Sequence, residues 1–263
     1  MNLQDRTQKY LDRRFQQNEA EVLVLIEETA LAVFEAFPDR FVLFGGATLV
    51  LFYESPRFSR DLDLLASVTA FPPSDKIQSL VRHRIQPIAE TFGLGHLEFR
   101  KDKESSDFVK QWVIANDKPL FSIDLTRIGG NVLESQVLKK NIPGTNAQTV
   151  LTASANYLLL QKCEVFLDRR HLKARDAFDI HLLLSQGALL TTNLKAHLED
   201  FIMMKDLDRE FIQSRIERID SKLCTVELRP VLPYAVFEEL AQKGFEPIRQ
   251  SLRTVLSQWI EEG

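Results

Sequence analysis

The stretch Phe44–Leu65, FGGATLVLFYESPRFSRDLDLL, opens on two glycines and closes on two aspartates one residue apart. In a strand, residues i and i+2 point to the same face. Asp61 and Asp63 therefore project together, and Leu62 and Leu64 turn the other way, toward a core. Two carboxylates side by side repel unless a cation sits between them. A hard divalent ion such as Mg²⁺ takes oxygen ligands, commonly one or two carboxylates plus substrate phosphates. A third acid follows the same logic. In PLFSIDLTRI, Phe121, Ile123 and Leu125 form an apolar face, and Ser122, Asp124 and Thr126 form the opposite one. Asp61, Asp63 and Asp124 are thus the candidate metal ligands and catalytic acids. Three carboxylates can hold two ions, one on a triphosphate and one to activate an attacking hydroxyl. Asp124 is the candidate to help deprotonate that hydroxyl.

The residues before the acids suit the anion. Gly45 and Gly46 allow close backbone approach and can present N–H groups to phosphate oxygens at a helix start. Arg57, Ser59 and Arg60 add donors and positive charge next to the acids. Taken alone, D-x-D in a strand reads more readily as a solvated edge face. Glycines, a basic loop and D-x-D in that order instead suit a nucleoside triphosphate (NTP) with Mg²⁺.

The elements that must position these residues can be sketched from periodicity. Residues 19–37 have the apolar spacing of a helix, ended by Pro38-Asp39. RFVLFGG reads as a short buried strand reaching a turn, ATLVLFYE as a short helix and SRDLDLLASV as a strand. Residues 74–92 read as a helix that Pro87 kinks or breaks. HLEFRK, DFVKQWVIAND and PLFSIDLTRI read as strands. Gly129-Gly130 and IPGTN punctuate the chain up to about residue 146. Beyond it the pattern is almost purely helical, over roughly 149–168, 172–186, 192–204, 207–222, 231–243 and 245–261. The expectation is two domains, 1–146 and 147–263, with a site where they meet.

Composition narrows the class. The chain has 263 residues, 44% of them hydrophobic, 27% charged, with a net charge of -4. That supports a real core and argues against broad coating of nucleic acid, though not against a local basic site. Apolar runs such as YLLL and IHLLL are too short to span a bilayer. The start, MNLQDRTQKYLDRRFQQNEAE, has no apolar signal region. Cys163 and Cys224 show no C-x-x-C spacing, and the five histidines fall in no zinc spacing. A cytoplasmic protein without a membrane partner is expected.

A strand ending in Gly-Gly, a helix, then a strand with D-x-D resembles the DNA polymerase β-type nucleotidyltransferase superfamily. GGATL followed by RFSRDLDLL more closely resembles the AbiEii/AbiGii abortive-infection toxin family, where GGTAL is more usual. So does LLLQKCEVFLDRRHLKARDAFDIHLLL at 158–184, which carries Lys162, Arg175-Asp176 and Asp179. The resemblance covers roughly residues 40–185. It implies an α+β fold: a nucleotidyltransferase core with a mixed sheet and flanking helices, then a C-terminal helical bundle. It implies an NTP substrate, Mg²⁺, a nucleotide acceptor that is an RNA (tRNA among them) or a protein, and a cognate antitoxin. It adds Lys162, Asp176 and Asp179 to the catalytic set, and Lys162 and Arg175 to the nucleotide-binding one.

These residues also have plainer readings. Lys162 in an apolar helix can be a lysine snorkelling from a helix edge. RRHLKAR can be a solvated charge run, although it stands out in an acidic protein. Asp176 and Asp179, one helical turn apart, can be a helix N-terminal charge and an ion pair with Arg175 or Lys173. Trp112 and Tyr157 read as packing groups, and His171 as a weak base. If Lys162 serves the triphosphate, Lys162→Ala should weaken NTP binding with little change in melting temperature. Two other functions stay open: nucleotidylation of a small molecule, and a catalytically inactive nucleotide- or partner-binding module.

Overall fold

The computed structural model describes residues 2–66, 72–127, 136–142 and 149–260. Gly129-Gly130, most of IPGTN and the expected boundary at 146 lie outside the described residues. The chain divides into two compact units, Met1–Ala153 and Ser154–Gly263.

The first unit is built on a mixed sheet. Its strands are β1 (Phe41–Phe44), β2 (Asp61–Ala66), β3 (Leu97–Glu104), β4 (Phe108–Ala115), β5 (Lys118–Arg127), β6 (Val137–Asn141) and β7 (Thr149–Ala153). The spatial order is β3-β4-β5-β2-β1-β7-β6. β2 pairs in parallel with β5 and β1 in parallel with β7; the other neighbours are antiparallel. Among the described residues four helices accompany it: α1 (Leu3–Asp12), α2 (Gln17–Ala36), α3 (Gly45–Phe52) and α4 (Ser74–Thr91). α2 is apolar nearly all round, and residues such as Leu23, Leu25, Ile26 and Leu31 are buried between its neighbours α1 and α4 and the sheet. Each such side chain contributes about 1.5–3 kcal/mol. α4 runs on through Pro87, so of the expected kink or break the break does not occur. Its buried Ile77, Val81, Ile85 and Ala89 fall on one stripe, and packing on α2 holds the helix through the missing N–H.

Two acids on α2 are buried, and each has partners. Arg6 pairs with Glu27 and Glu28, Lys9 and Tyr10 also reach Glu27, and Arg84 of α4 reaches Glu28. The network ties α1 and α4 to α2 through charges that water does not reach freely.

The strand β7 corrects the sequence reading, which ran a helix over 149–168. Residues 149–153 are TVLTA, a short apolar run that strand and helix share. Here Leu43 pairs with Thr152, and β6 covers the other side. Ser154 then caps α5 by accepting from the Tyr157 N–H. The first unit therefore extends to Ala153 rather than ending at 146.

The second unit is helical throughout its described residues: α5 (Ala155–Asp168), α6 (Ala174–Ser185), α7 (Thr192–Met204), α8 (Arg209–Glu217), α9 (Ser221–Leu228), α10 (Tyr234–Gln242) and α11 (Glu246–Ile260). α5 packs on α6 and α7, and α6 packs on α9 and α11. The single helix expected over 207–222 is two. The Asp208 carboxylate caps α8 at the Phe211 N–H, and Asp220 caps α9 at the Leu223 N–H. An aspartate that accepts from the backbone two or three residues on starts a helix rather than continuing one.

Candidate active site

Strand alternation sets the acids. Leu62 and Leu64 are fully buried, while Asp61 and Asp63 are half-buried on the other face. Parallel pairing of β2 with β5 places Asp63 opposite Asp124 and Asp61 opposite Ser122. The Ser122 hydroxyl donates to Asp61 Oδ1 at 2.8 Å. Across β1–β2, Phe44 pairs with Asp63, so the chain turning into α3 passes directly over that carboxylate. Gly45 makes the turn with φ +73°, and a Cβ there would lie 2.1 Å from Asp63 Oδ2. On Gly46 a Cβ would lie 2.4 Å from Ser59 Oγ and 2.9 Å from Arg57 Nη2. The glycines are thus required first by this chain's own side chains, whatever ligand comes later. The start of α3 leaves backbone N–H groups without helical acceptors next to the acids.

Arg57 and Ser59 are buried beneath Gly46, and Arg57 Nη1 donates to the Phe58 carbonyl at 3.2 Å. Arg60 behaves differently. Its guanidinium lies over the Phe58 ring and lines a cleft with Asn18, Glu21 and Lys118. Arg60 lies just before β2, and its guanidinium stacks on Phe58, while Asp61 meets Ser122 and Lys110.

A cation that sequence reasoning missed stands at the acids. Lys110 Nζ donates to Asp124 Oδ2 at 2.9 Å and lies 3.6 Å from Asp61 Oδ1. Burial alone would lower the Lys110 ammonium's pKa. The Asp124 hydrogen bond and the charges of Asp124, Asp61 and Asp63 outweigh burial and hold it above its ordinary value. Burial likewise pushes the Asp124 carboxyl up, against the pull of Lys110. Asp124 Oδ1 is buried and has no hydrogen-bond partner. The signal for Lys110 was one inward-facing lysine in the apolar strand DFVKQWVIA. It becomes readable only once that strand is paired in register with PLFSIDLTR, Lys110 opposite Asp124.

The donor set suits a hard divalent ion: carboxylates only, with one buried oxygen lacking a partner. As they stand, however, no three His, Cys, Asp or Glu side chains among the described residues are grouped to hold one.

In the second unit, Lys162 is held between two acids of α6. Its Nζ lies 2.7 Å from Asp179 Oδ2 and 3.5 Å from Asp176 Oδ1. Asp179 is fully buried, Asp176 nearly so, and the Lys162 side chain is 13% exposed. This is not a snorkelling lysine. Arg169 Nε lies 3.1 Å from Asp176 Oδ2, so Asp176 pairs with Lys162 and Arg169, and not with Arg175 or Lys173. Lys173 instead reaches Glu227 at 2.8 Å. Arg175 is half-buried on the first turn of α6. The RRHLKAR run is therefore only partly a free charge patch.

The model of one protein family, the nucleotidyl transferase AbiEii toxin of type IV toxin–antitoxin systems, matches residues 29–258. The chain belongs to the AbiEii family. Two solved structures from Helicobacter pylori share the fold of this AbiEii-family nucleotidyltransferase at 18% identity and TM-score 0.51: a protein assigned as a nucleotidyltransferase, and JHP933. Each alignment covers 90% of this chain, and 97% and 94% of the respective neighbour. No curated protein matches. The expected α+β fold with a mixed sheet is the one found. No helix among the described residues of this AbiEii-family chain is long and apolar enough to cross a membrane.

Proposed function

We propose that this AbiEii-family enzyme moves a nucleotide from an NTP onto an RNA end, tRNA included, and does so as a cytoplasmic toxin restrained by a cognate antitoxin. The observation that carries the reading is the register that sets Asp63 opposite Asp124 directly below the Gly45 turn. Mg²⁺ held by Asp61, Asp63 and Asp124 would neutralise charge on the transferring phosphoryl oxygens. The N–H groups at the start of α3, with Arg57 and Ser59 beneath them, are assigned to the triphosphate. Gly46 keeps that turn close to both side chains. Asp124 is assigned to the proton of the attacking hydroxyl. Lys162 is assigned to the remaining triphosphate charge as a point-charge cation, with Asp176 and Asp179 fixing its ammonium and Arg175 adding positive charge at the same helix end. The domain division at the end of the sheet separates these two groups of residues in sequence.

The test is transfer itself. Purified protein is incubated with each labelled NTP and Mg²⁺, together with total RNA, lysate protein or small metabolites. Label is expected in RNA, lost on chelation and lost in Asp61→Ala and Asp63→Ala at unchanged circular dichroism. Label in protein or in a small molecule would replace the acceptor. No label in any fraction, or full transfer by Asp63→Ala, would overturn the reading.

A further inference from the structure

Lys110 is used by neither the motifs nor the chemistry above, yet its ammonium stands at the carboxylates. Three adjacent strands put it there. Lys110 is opposite Asp124 across β4–β5, and Asp124 is opposite Asp63 across β5–β2. The side chain is 17% exposed, and Nζ lies 4.6 Å from the centroid of the Trp112 ring. One Asp124 oxygen takes the ammonium, and the other is buried without a partner. The acids are not gathered into a three-ligand group while Lys110 holds them this way.

We propose that Lys110 is a resident counter-ion that competes with the divalent ion for Asp124 and Asp61, and yields its place as its ammonium takes up a phosphate oxygen of the incoming nucleotide. This rests on the reading of the three acids as the metal-holding group. The reasoning is electrostatic. Three carboxylates on neighbouring strands need positive charge near them in every state of the protein. An ammonium supplies one charge, enough to offset part of the acids' mutual repulsion and to keep them ordered. A divalent ion entering the same oxygens meets that ammonium a few ångströms away. Their repulsion exceeds what a tenfold change in affinity requires, even at a protein-like dielectric constant of about 20. An NTP brings the anion that relieves it. Ion and nucleotide binding then strengthen each other, and each raises the affinity for the other by the same factor.

The opposite view makes Lys110 a plain strand-to-strand ion pair. In that case its removal leaves Asp124 buried without a partner, loosens the acids and weakens ion binding. The two views differ in sign. Mn²⁺ binding is measured by the electron paramagnetic resonance of the free ion, for wild type, Lys110→Met, Lys110→Gln, Lys110→Arg and Asp63→Ala. Each is titrated with and without a non-hydrolysable NTP, and thermal melting confirms folding. Without nucleotide, Lys110→Met and Lys110→Gln are expected to bind Mn²⁺ at least about tenfold tighter than wild type, about 1.4 kcal/mol. Lys110→Arg keeps the charge and should stay close to wild type. With nucleotide the gap should narrow. Equal or weaker binding in Lys110→Met and Lys110→Gln, where wild-type binding is lost in Asp63→Ala, overturns the competition and leaves the metal site standing. A gap that nucleotide does not narrow overturns the handover. Ion binding indifferent to Asp63→Ala overturns the metal site itself, and the competition with it.

Discussion

Gly45→Ala should be costly chiefly because of one neighbour, and that neighbour can be removed. The backbone term comes first: an alanine at φ +73° costs about 1–2 kcal/mol. The steric term is specific. The new Cβ would stand 2.1 Å from Asp63 Oδ2, 2.7 Å from its Cγ and 3.0 Å from its Cβ. Relieving it forces Asp63 off its position, a further cost of about 1–3 kcal/mol of the kind seen on overpacking. The total is about 2–5 kcal/mol. In an Asp63→Ala background the Oδ2 and Cγ contacts vanish and only the 3.0 Å contact remains. Gly45→Ala should then cost little beyond its backbone term, which leaves a coupling of about 1–3 kcal/mol between the two sites. Each unit carries one tryptophan, Trp112 in the first and Trp259 in the second. Urea titration followed by Trp112 fluorescence in a Trp259→Phe background therefore reports on the first unit. Four proteins complete the cycle. A cost of Gly45→Ala equal in both backgrounds within about 0.5 kcal/mol would refute the contact with the carboxylate.

Lys162→Met should lower stability by about 3–5 kcal/mol, because it takes the ammonium at 2.7 Å away from Asp179, a fully buried carboxylate. The burial of this pair runs against little change in melting temperature on losing Lys162, and a melt of the variant checks it. Glu28 is pulled up by burial but held below its ordinary value of 4.5 by hydrogen bonds and charge from Arg84 and Arg6. It therefore contributes stability above that value which is lost as pH falls through its folded pKa. Glu28→Gln should flatten the loss of stability between about pH 5 and about pH 3 relative to wild type, as read by denaturant midpoints. Burial pushes the Cys163 thiol up, and the Cys224 thiol up to about 12, so both should resist alkylation at neutral pH until the protein unfolds; mass spectrometry after timed labelling checks this.

What the sequence could show depended on whether a signal was local. Asp61 and Asp63 alternate with Leu62 and Leu64, and that alternation alone gives their shared face. Asp124 could be placed on one face of its strand in the same way. Its partner could not, because the register of β2 against β5 is a long-range choice. The same limit hid Lys110, whose neighbour on β5 is fourteen residues away across a hairpin. Arg60 is next to the acids in sequence, but its contact with the Phe58 ring depends on a fold that adjacency in sequence does not show. Thr149–Ala153 was read as helix since five apolar-leaning residues fit either period, and only β1 on one side and β6 on the other decide. Helix α1 and strand β6 went unread. α1 shows only a short apolar stripe, Leu3, Tyr10 and Leu11, and the buried Arg6 that interrupts it makes sense only once Glu27 and Glu28 of α2 are beside it.

The place of β7 orders the birth of the protein. Leu43 meets Thr152 across a gap of more than a hundred residues, and the Tyr53 hydroxyl donates to the Ala153 carbonyl over the same span. A ribosome makes the glycine turn, all three acids and Lys110 before it makes the strand that seals the open side of β1. Until then the nascent chain carries a bare sheet edge, ready to pair with any extended segment that passes. A stop codon or protease cut placed at residue 146 would freeze it in that state. Such a fragment should aggregate even though it retains every carboxylate, so the shortest soluble form of the first unit must run through Ala153.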